Sequence, residues 1–191
     1  DISIWCPFPL KKELTQKHFD YAMKIGIKEL EDKPDPNSDL LWIESLFGLG
    51  QSRIISEEIV DLLISRKKCC PNKLISIDVP AGLDSDNGNI ISKSSCVASS
   101  TLTIGLFKSG LIQDSAIDFV GDLERIDIGI PKKILADFPR TQPLRISFSD
   151  LSTFEWPQLS KYKSKYLRGR VLVVAGSEQY RGAAYLALKG A

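Results

Sequence analysis

Apolar and polar positions along this chain switch repeatedly between a period of two and a period near 3.6. Ile2-Ser3-Ile4-Trp5 alternates strictly and predicts a short strand over residues 2–7, stopped by Pro7 and Pro9. Phe19, Ala22, Met23 and Ile25 then recur at helical spacing. Thr15 suits the cap of that helix and Gly26 its end. Glu31 to Ser38 is charged and broken by Pro34 and Pro36, so it reads as an exposed loop. A second strand is expected over Leu40–Phe47, running into the loop Gly48-Leu-Gly50. Ser56 precedes Glu57 and Glu58, carboxylates that favour a helix amino end, and Ile59, Val60, Leu62, Leu63 and Ile64 give that helix a broad apolar face. Leu74–Val79 is nearly continuous in apolar character, as a parallel strand buried on both faces should be, and Pro80 and Gly82 stop it. Further strands are expected over Ser100–Ile104 and Leu123–Ile128. This alternation predicts a parallel sheet with helices on both faces, an α/β fold of the three-layer α/β/α Rossmann-like kind.

After Gly129-Ile-Pro131 the texture becomes irregular, with Pro139, Pro143 and Pro157 and the basic run Lys161-Tyr-Lys-Ser-Lys165. That run reads as a solvated linker. A fresh β-loop-α pattern follows, with Val171-Leu-Val-Val-Ala175 as strand, Gly176-Ser177 as loop and a helix from near Gly182. The expected division is a first domain over 1–150, a linker over 151–168 and the start of a second domain over 169–191. The chain opens at Asp1 directly into a strand and closes at Ala191 inside a helical pattern, so both ends read as cut and the first domain as incomplete at its amino end.

Bulk properties narrow the function classes. The formal net charge of +1 gives no reason to expect nucleic acid as a partner. No apolar run reaches the roughly 18 residues of a membrane helix, so no membrane association is expected. Cys6, Cys69, Cys70 and Cys96 form no CxxC, and the single His18 has no metal-ligand spacing around it. Reduced thiols in a cytoplasmic protein are the expectation. Trp5, Trp42 and Trp156 are too scattered for a stacking platform. Nothing in the pattern decides whether the protein is a homo-oligomer.

In an open parallel sheet, ligands bind beyond the carboxyl ends of the strands, and two motifs fall there. In Glu44-Ser-Leu-Phe-Gly-Leu-Gly-Gln-Ser-Arg53, two glycines permit a tight loop with exposed N–H groups, and Arg53 can fork onto phosphate oxygens. A plain strand-to-helix turn explains the glycines equally well. In Ile77-Asp-Val-Pro-Ala-Gly-Leu-Asp84, Asp78 ends a buried strand, where a carboxylate is costly unless partnered. It either handles a proton beside a ligand or caps the next turn. Asp84, Asp86 and Gly88 have part of a calcium-loop spacing, but the closing position 95 is Ser, which argues against calcium. A third motif, Gly176-Ser-Glu-Gln-Tyr-Arg-Gly-Ala-Ala184, leads into a helix amino end and suits an anion, without the Lys-Ser/Thr of a Walker loop.

Together these motifs resemble one family. Leu46-Phe-Gly-Leu-Gly50 with Arg53 resembles the Asp-Ala-Leu-Phe-Gly-Thr-Gly-Leu-x-Arg signature of NAD(P)H-hydrate epimerase domains. Residues 77–88 are similar to Ile-Asp-Val-Pro-Ser-Gly-Leu-Asp-Ala-Asp-Thr-Gly at nearly every position, and Thr101-Leu-Thr-Ile-Gly-Leu-Phe-Lys-Ser-Gly-Leu111 and Asp127-Ile-Gly-Ile-Pro131 match the segments that follow. Residues 170–184 resemble the opening of the ribokinase-like, ADP-dependent dehydratase that follows the epimerase in bifunctional repair enzymes.

The resemblance implies repair of hydrated NADH and NADPH, a small-molecule substrate. The epimerase would interconvert the R and S hydrates, and the dehydratase would remove water from the S form with ADP or ATP at a site outside this chain. It assigns Gly48, Leu49, Gly50, Gln51, Ser52, Arg53 and Ile54 to the hydrate's phosphates. Asp78, Ala183 and Ala184 become further substrate contacts, with Asp78 the catalytic residue. It also implies a potassium ion held at the positions of Glu44 and Ala81. Both depart from the family pattern, Glu44 by one methylene and Ala81 by losing a hydroxyl but keeping a backbone carbonyl, and Ser164-Lys165 stands where the dehydratase has His-Lys. The family's Asn-Asn-Gly-Gly-Asp-Gly loop would precede Asp1, so the 191 residues by themselves are expected to be poorly active. Two other readings remain at this stage: an epimerase-like scaffold or binding module, and a protein retaining only dehydratase activity.

Overall fold

The computed structural model describes residues 1–154, apart from 92, 140, 142 and 147, and residues 170–190. Two compact units divide it, residues 1–137 and 138–191.

The first unit carries two parallel sheets. β1 (Ser3–Ile4) pairs with β2 (Lys28–Glu29). Between them runs α1 (Glu13–Lys24), one turn earlier than Thr15 suggests. Lys12 occupies the cap position and its carbonyl accepts from the Gln16 N–H at 3.0 Å, leaving Thr15 inside the first turn. Glu13 there complements the helix dipole. The second sheet has the order β3-β4-β5-β6, all parallel, with β3 at Trp42–Glu44, β4 at Leu74–Ile77, β5 at Ser100–Ile104 and β6 at Asp122–Ile126. The chain is therefore a mixed α/β protein with parallel sheets. β5 has the expected bounds, whereas β3 and β4 are shorter than their apolar runs.

The register assigns each side chain to a face. Trp42, Leu74, Ser76, Thr101 and Thr103 lie on one face with Glu44, and all but Trp42 are buried. Across that face runs α2 (Glu57–Cys69), with Ser56 at its cap position. Ile59, Val60 and Leu63 of α2 form one core cluster with Ile55, Leu74, Ala81 and Cys96. Each such aliphatic side chain contributes about 1.5–3 kcal/mol on burial. The opposite face carries Ile43, Ile75, Ile77, Leu102 and Ile104, none fully buried, and Ile43 is 64% exposed. The expected second covering layer is therefore incomplete among the described residues, since α1 buries no residue fully.

A second core cluster consists of Val79, Leu83, Leu111, Ala116 and Val120. Two 3-10 turns and the short α3 (Ile117–Val120) support it. Arg66, in the last turns of α2, is fully buried. Its Nη1 donates to the carbonyls of Pro36 (2.9 Å) and Ser38 (2.6 Å), and Nη2 to those of Leu40 and Lys73. Its guanidinium lies 4.8 Å over the Trp42 ring. The proline-broken loop is thus pinned to α2 by this guanidinium.

In the second unit, α4 (Gly182–Gly190) forms where expected. Val171–Ala175 pairs with nothing as a strand among the described residues, and Val171, Leu172 and Val174 are 74–88% exposed. An apolar run becomes a strand only with a ladder partner, and none is described beside it. The linker's residues 155–168, with Trp156 and Lys161–Lys165, lie outside the described residues.

Candidate functional site

The site forms at the carboxyl ends of β3, β4 and β5. At the end of β4 the Val79 N–H donates to the Ile77 carbonyl at 3.0 Å, closing a three-residue turn centred on Asp78. Asp78 takes φ = +72° there, the one non-glycine residue with positive φ among those described. Such γ-turns are rare and strained, and a left-handed residue of this kind costs on the order of 1–3 kcal/mol and clusters at functional sites. The neighbouring strand ends the same way, with Leu106 N–H donating to the Ile104 carbonyl at 2.9 Å, but there the central residue is Gly105.

The turn aims the Asp78 carboxylate across the strand ends. Its Oδ1 accepts from the Ile104 N–H at 3.1 Å and from Lys108 Nζ in a close ion pair. Lys108 also donates to Thr103 Oγ1 (3.1 Å) and the Ile104 carbonyl (2.7 Å). The two side chains are 14% and 8% exposed, so the pair sits largely out of water. No donor engages Oδ2 among the described residues. A Cβ on Gly48 would lie 3.0 Å from Oδ2, so a side chain at position 48 would crowd the carboxylate.

From Gly48 the loop runs outward. Leu49, Gly50, Ser52, Arg53 and Ile54 are exposed, and Arg53 has no hydrogen bond or ion pair among the described residues. Gly50 takes φ = +79°. Gln51 turns inward, where its Oε1 accepts from the Gly82 N–H at 3.0 Å and its buried Nε2 has no partner. The loop, Asp78 and the Ala81-Gly82 turn therefore meet at one place. Ala183 and Ala184 belong to α4 in the second unit, where Gly176, Ser177, Arg181 and Ala184 line a shallow groove. Lys108 was not singled out as a site residue from sequence. Its signal was its position, between Gly105 and Gly110 just past a strand's carboxyl end.

Residues 1–110 match the family model for the YjeF-related protein N-terminus. The chain belongs to this family. It is 32% identical over its whole length to the bifunctional NAD(P)H-hydrate repair enzyme Nnr of Synechocystis, covering 36% of that protein. The Nnr of Gloeobacter violaceus is also 32% identical over the whole chain, which covers 38% of it. The NAD(P)H-hydrate epimerase of Oenococcus oeni is 31% identical over 57% of the chain and 51% of that protein. The chain spans about a third of the length of the bifunctional relatives.

The two positions expected to hold potassium in this YjeF-related chain are already engaged. Glu44 is buried, and its Oε1 accepts from the Leu46 N–H (2.8 Å) while Oε2 accepts from Ser76 Oγ (2.9 Å) and the Ala81 N–H (3.3 Å). Burial raises the Glu44 carboxyl above its ordinary range, against those three donors, which lower it. The Ala81 carbonyl accepts from the Cys96 N–H at 2.7 Å and Ser95 Oγ at 3.1 Å, which uses both its lone pairs. Among the described residues no group of three His, Cys, Asp or Glu could hold a metal ion. The donors already around Glu44 and Ala81 make them a poor fit for a cation. The Cys96 thiol is pushed well up by burial and by Glu44 beside it.

Proposed function

We propose that this chain is the epimerase portion of an NAD(P)H-hydrate repair enzyme, acting on hydrated NADH and NADPH and interconverting their R and S forms. The observation that carries the reading is Asp78, a strained carboxylate at a sheet's carboxyl edge with one oxygen held by Lys108 and Ile104 and the other facing Gly48. In this reading the Gly48–Ile54 loop receives the phosphates through its backbone N–H groups and Arg53. Interconverting the R and S hydrates inverts the hydroxyl-bearing ring carbon, so a bond to that carbon breaks and re-forms, and Asp78 Oδ2 accepts and returns the proton that this exchange requires. Lys108 holds Oδ1, so the carboxylate keeps one orientation through the cycle. A scaffold has no need of a strained carboxylate paired with a buried lysine, so this pair favours the enzyme.

The finer parts of the reading belong to the larger protein. The 169–191 segment would open a ribokinase-like dehydratase, with Ala183 and Ala184 near its substrate and ADP or ATP bound further along. The domain division at 1–150, 151–168 and 169–191 follows from this. The protein acts as a lyase as well as an isomerase, in the cytoplasm.

The test is Asp78→Asn, which keeps the side-chain shape and tolerates a left-handed backbone. Loss of epimerisation of the R hydrate by at least about 100-fold, the usual contribution of a positioned acid-base group, with hydrate binding retained, supports the assignment. An unchanged rate removes Asp78 from the chemistry.

A further inference from the structure

We infer that the junction between the glycine loop and the Asp78 turn is held by the Glu44 carboxylate, and that this protein needs no potassium ion there. The inference rests on the epimerase reading only for where an ion would be expected. The hydrogen bonds themselves do not depend on it.

Three elements meet at Glu44. Oε1 accepts from Leu46, the residue that starts the loop, and Oε2 accepts from Ser76 in β4 and from Ala81 in the turn after Asp78. Glu44 and Ser76 are register partners in adjacent strands, so the carboxylate reaches along the sheet's covered face to the strand ends. An aspartate, one methylene shorter, would stop nearer its own strand, which gives Glu44 the reach to touch the Ala81 N–H. A bound cation ties such a junction by gathering oxygen lone pairs. Here the donors are N–H and O–H groups, and the carboxylate supplies the lone pairs.

The second half of the junction is closed in the same way. The Ala81 carbonyl is covered by Cys96 N–H and by Ser95 Oγ, and Ser95 and Ala81 are each 0% exposed. The unpaired buried polar atom next to this turn is Gln51 Nε2, an N–H donor. A donor without a partner calls for an acceptor such as a water or a ligand oxygen, and it repels a cation. At Glu44 and Ala81 the oxygen lone pairs are thus largely taken, and the buried atom left unpaired beside them is a donor, the reverse of what an ion held at those two positions requires.

The experiment is a thermal melt of the protein in which potassium chloride replaces tetramethylammonium chloride at constant ionic strength, repeated with sodium chloride. Superimposable melts in all three salts are expected. A saturable rise in Tm specific to potassium would overturn the inference. Epimerisation of hydrated NADPH is followed in the same salts, and equal rates with and without potassium are expected, while a rate that needs potassium would overturn it. If no salt gives activity, the epimerase reading falls while the melts still decide the ion. Glu44→Gln replaces one donor-facing carboxylate oxygen with an NH2 group, so it should lower Tm equally in every salt. A potassium-dependent recovery of Tm in that variant would also count against the inference.

Discussion

The Asp78–Lys108 pair gives the sharpest energetic prediction. Both side chains are nearly excluded from water, at 14% and 8% exposure, so solvent screening does not weaken their coupling as it does for a surface pair. Removing one member of a buried pair typically costs about 3–5 kcal/mol, because the other charge stays buried without compensation. Lys108 keeps two further acceptors, Thr103 Oγ1 and the Ile104 carbonyl, and Asp78 keeps the Ile104 N–H. Those partners soften each loss, so Asp78→Asn and Lys108→Met should each cost about 2–3 kcal/mol, at or below the lower end of that range. Asn retains an acceptor and tolerates φ = +72°, which keeps turn strain out of the comparison. The double variant has neither charge to strand. Its loss should fall short of the sum of the singles by about 1–3 kcal/mol, the range for residues in direct contact. Urea unfolding of the four proteins, read by fluorescence and circular dichroism together, measures the cycle. Losses that add within about 0.5 kcal/mol would refute the coupling and with it the claim that Lys108 fixes the carboxylate.

Three further outcomes follow from the same geometry. Gly48→Ala sets a Cβ 3.0 Å from Asp78 Oδ2 at ordinary φ, so steady-state kinetics should show reduced kcat with a stability change under about 2 kcal/mol. Glu44 has a raised carboxyl in the folded state, so the fold binds its proton more tightly than the unfolded chain. Its contribution is fully present below the unfolded value and declines as pH rises through the folded one. Glu44→Gln should flatten that decline in unfolding free energy against pH, although the variant is less stable throughout. Cys96 is 1% exposed with its thiol pushed well up, whereas Cys69 is exposed, so a thiol reagent should label Cys69 in the native protein and reach Cys96 only on unfolding.

Much of the sheet was legible because its signals are local. Ser100–Ile104 is a strand over the expected residues, and the helix behind Ser56 buries the expected apolar face. The site was legible as two motifs at strand ends, and both meet at one place. What the sequence hid was geometry with no local mark. Leu74–Val79 reads as one strand, but Asp78 takes a left-handed turn that sequence reading expects of glycine, so β4 ends at Ile77. Lys108 lies 30 residues from Asp78, and no spacing rule joins a lysine to a carboxylate at that distance in the chain. Arg66 looks like a helix-end base, yet four carbonyls and an indole enclose it. Val171–Ala175 has strand composition, but strand formation depends on a partner that composition cannot report. Glu44 and Ala81 were placed by resemblance at an ion site, and the donors gathered around them were not readable from either residue.

Epimerisation of hydrated nicotinamide nucleotide by Asp78 and the Gly48–Ile54 loop is the activity proposed for this protein. The most direct measurement starts from isolated R-NADPH hydrate, adds the full-length protein, and follows the S form by chromatography. The account predicts approach to an R/S mixture far faster than in buffer, with Asp78→Asn slower by at least about 100-fold. A folded protein that binds the hydrate but leaves the R form unchanged would contradict it.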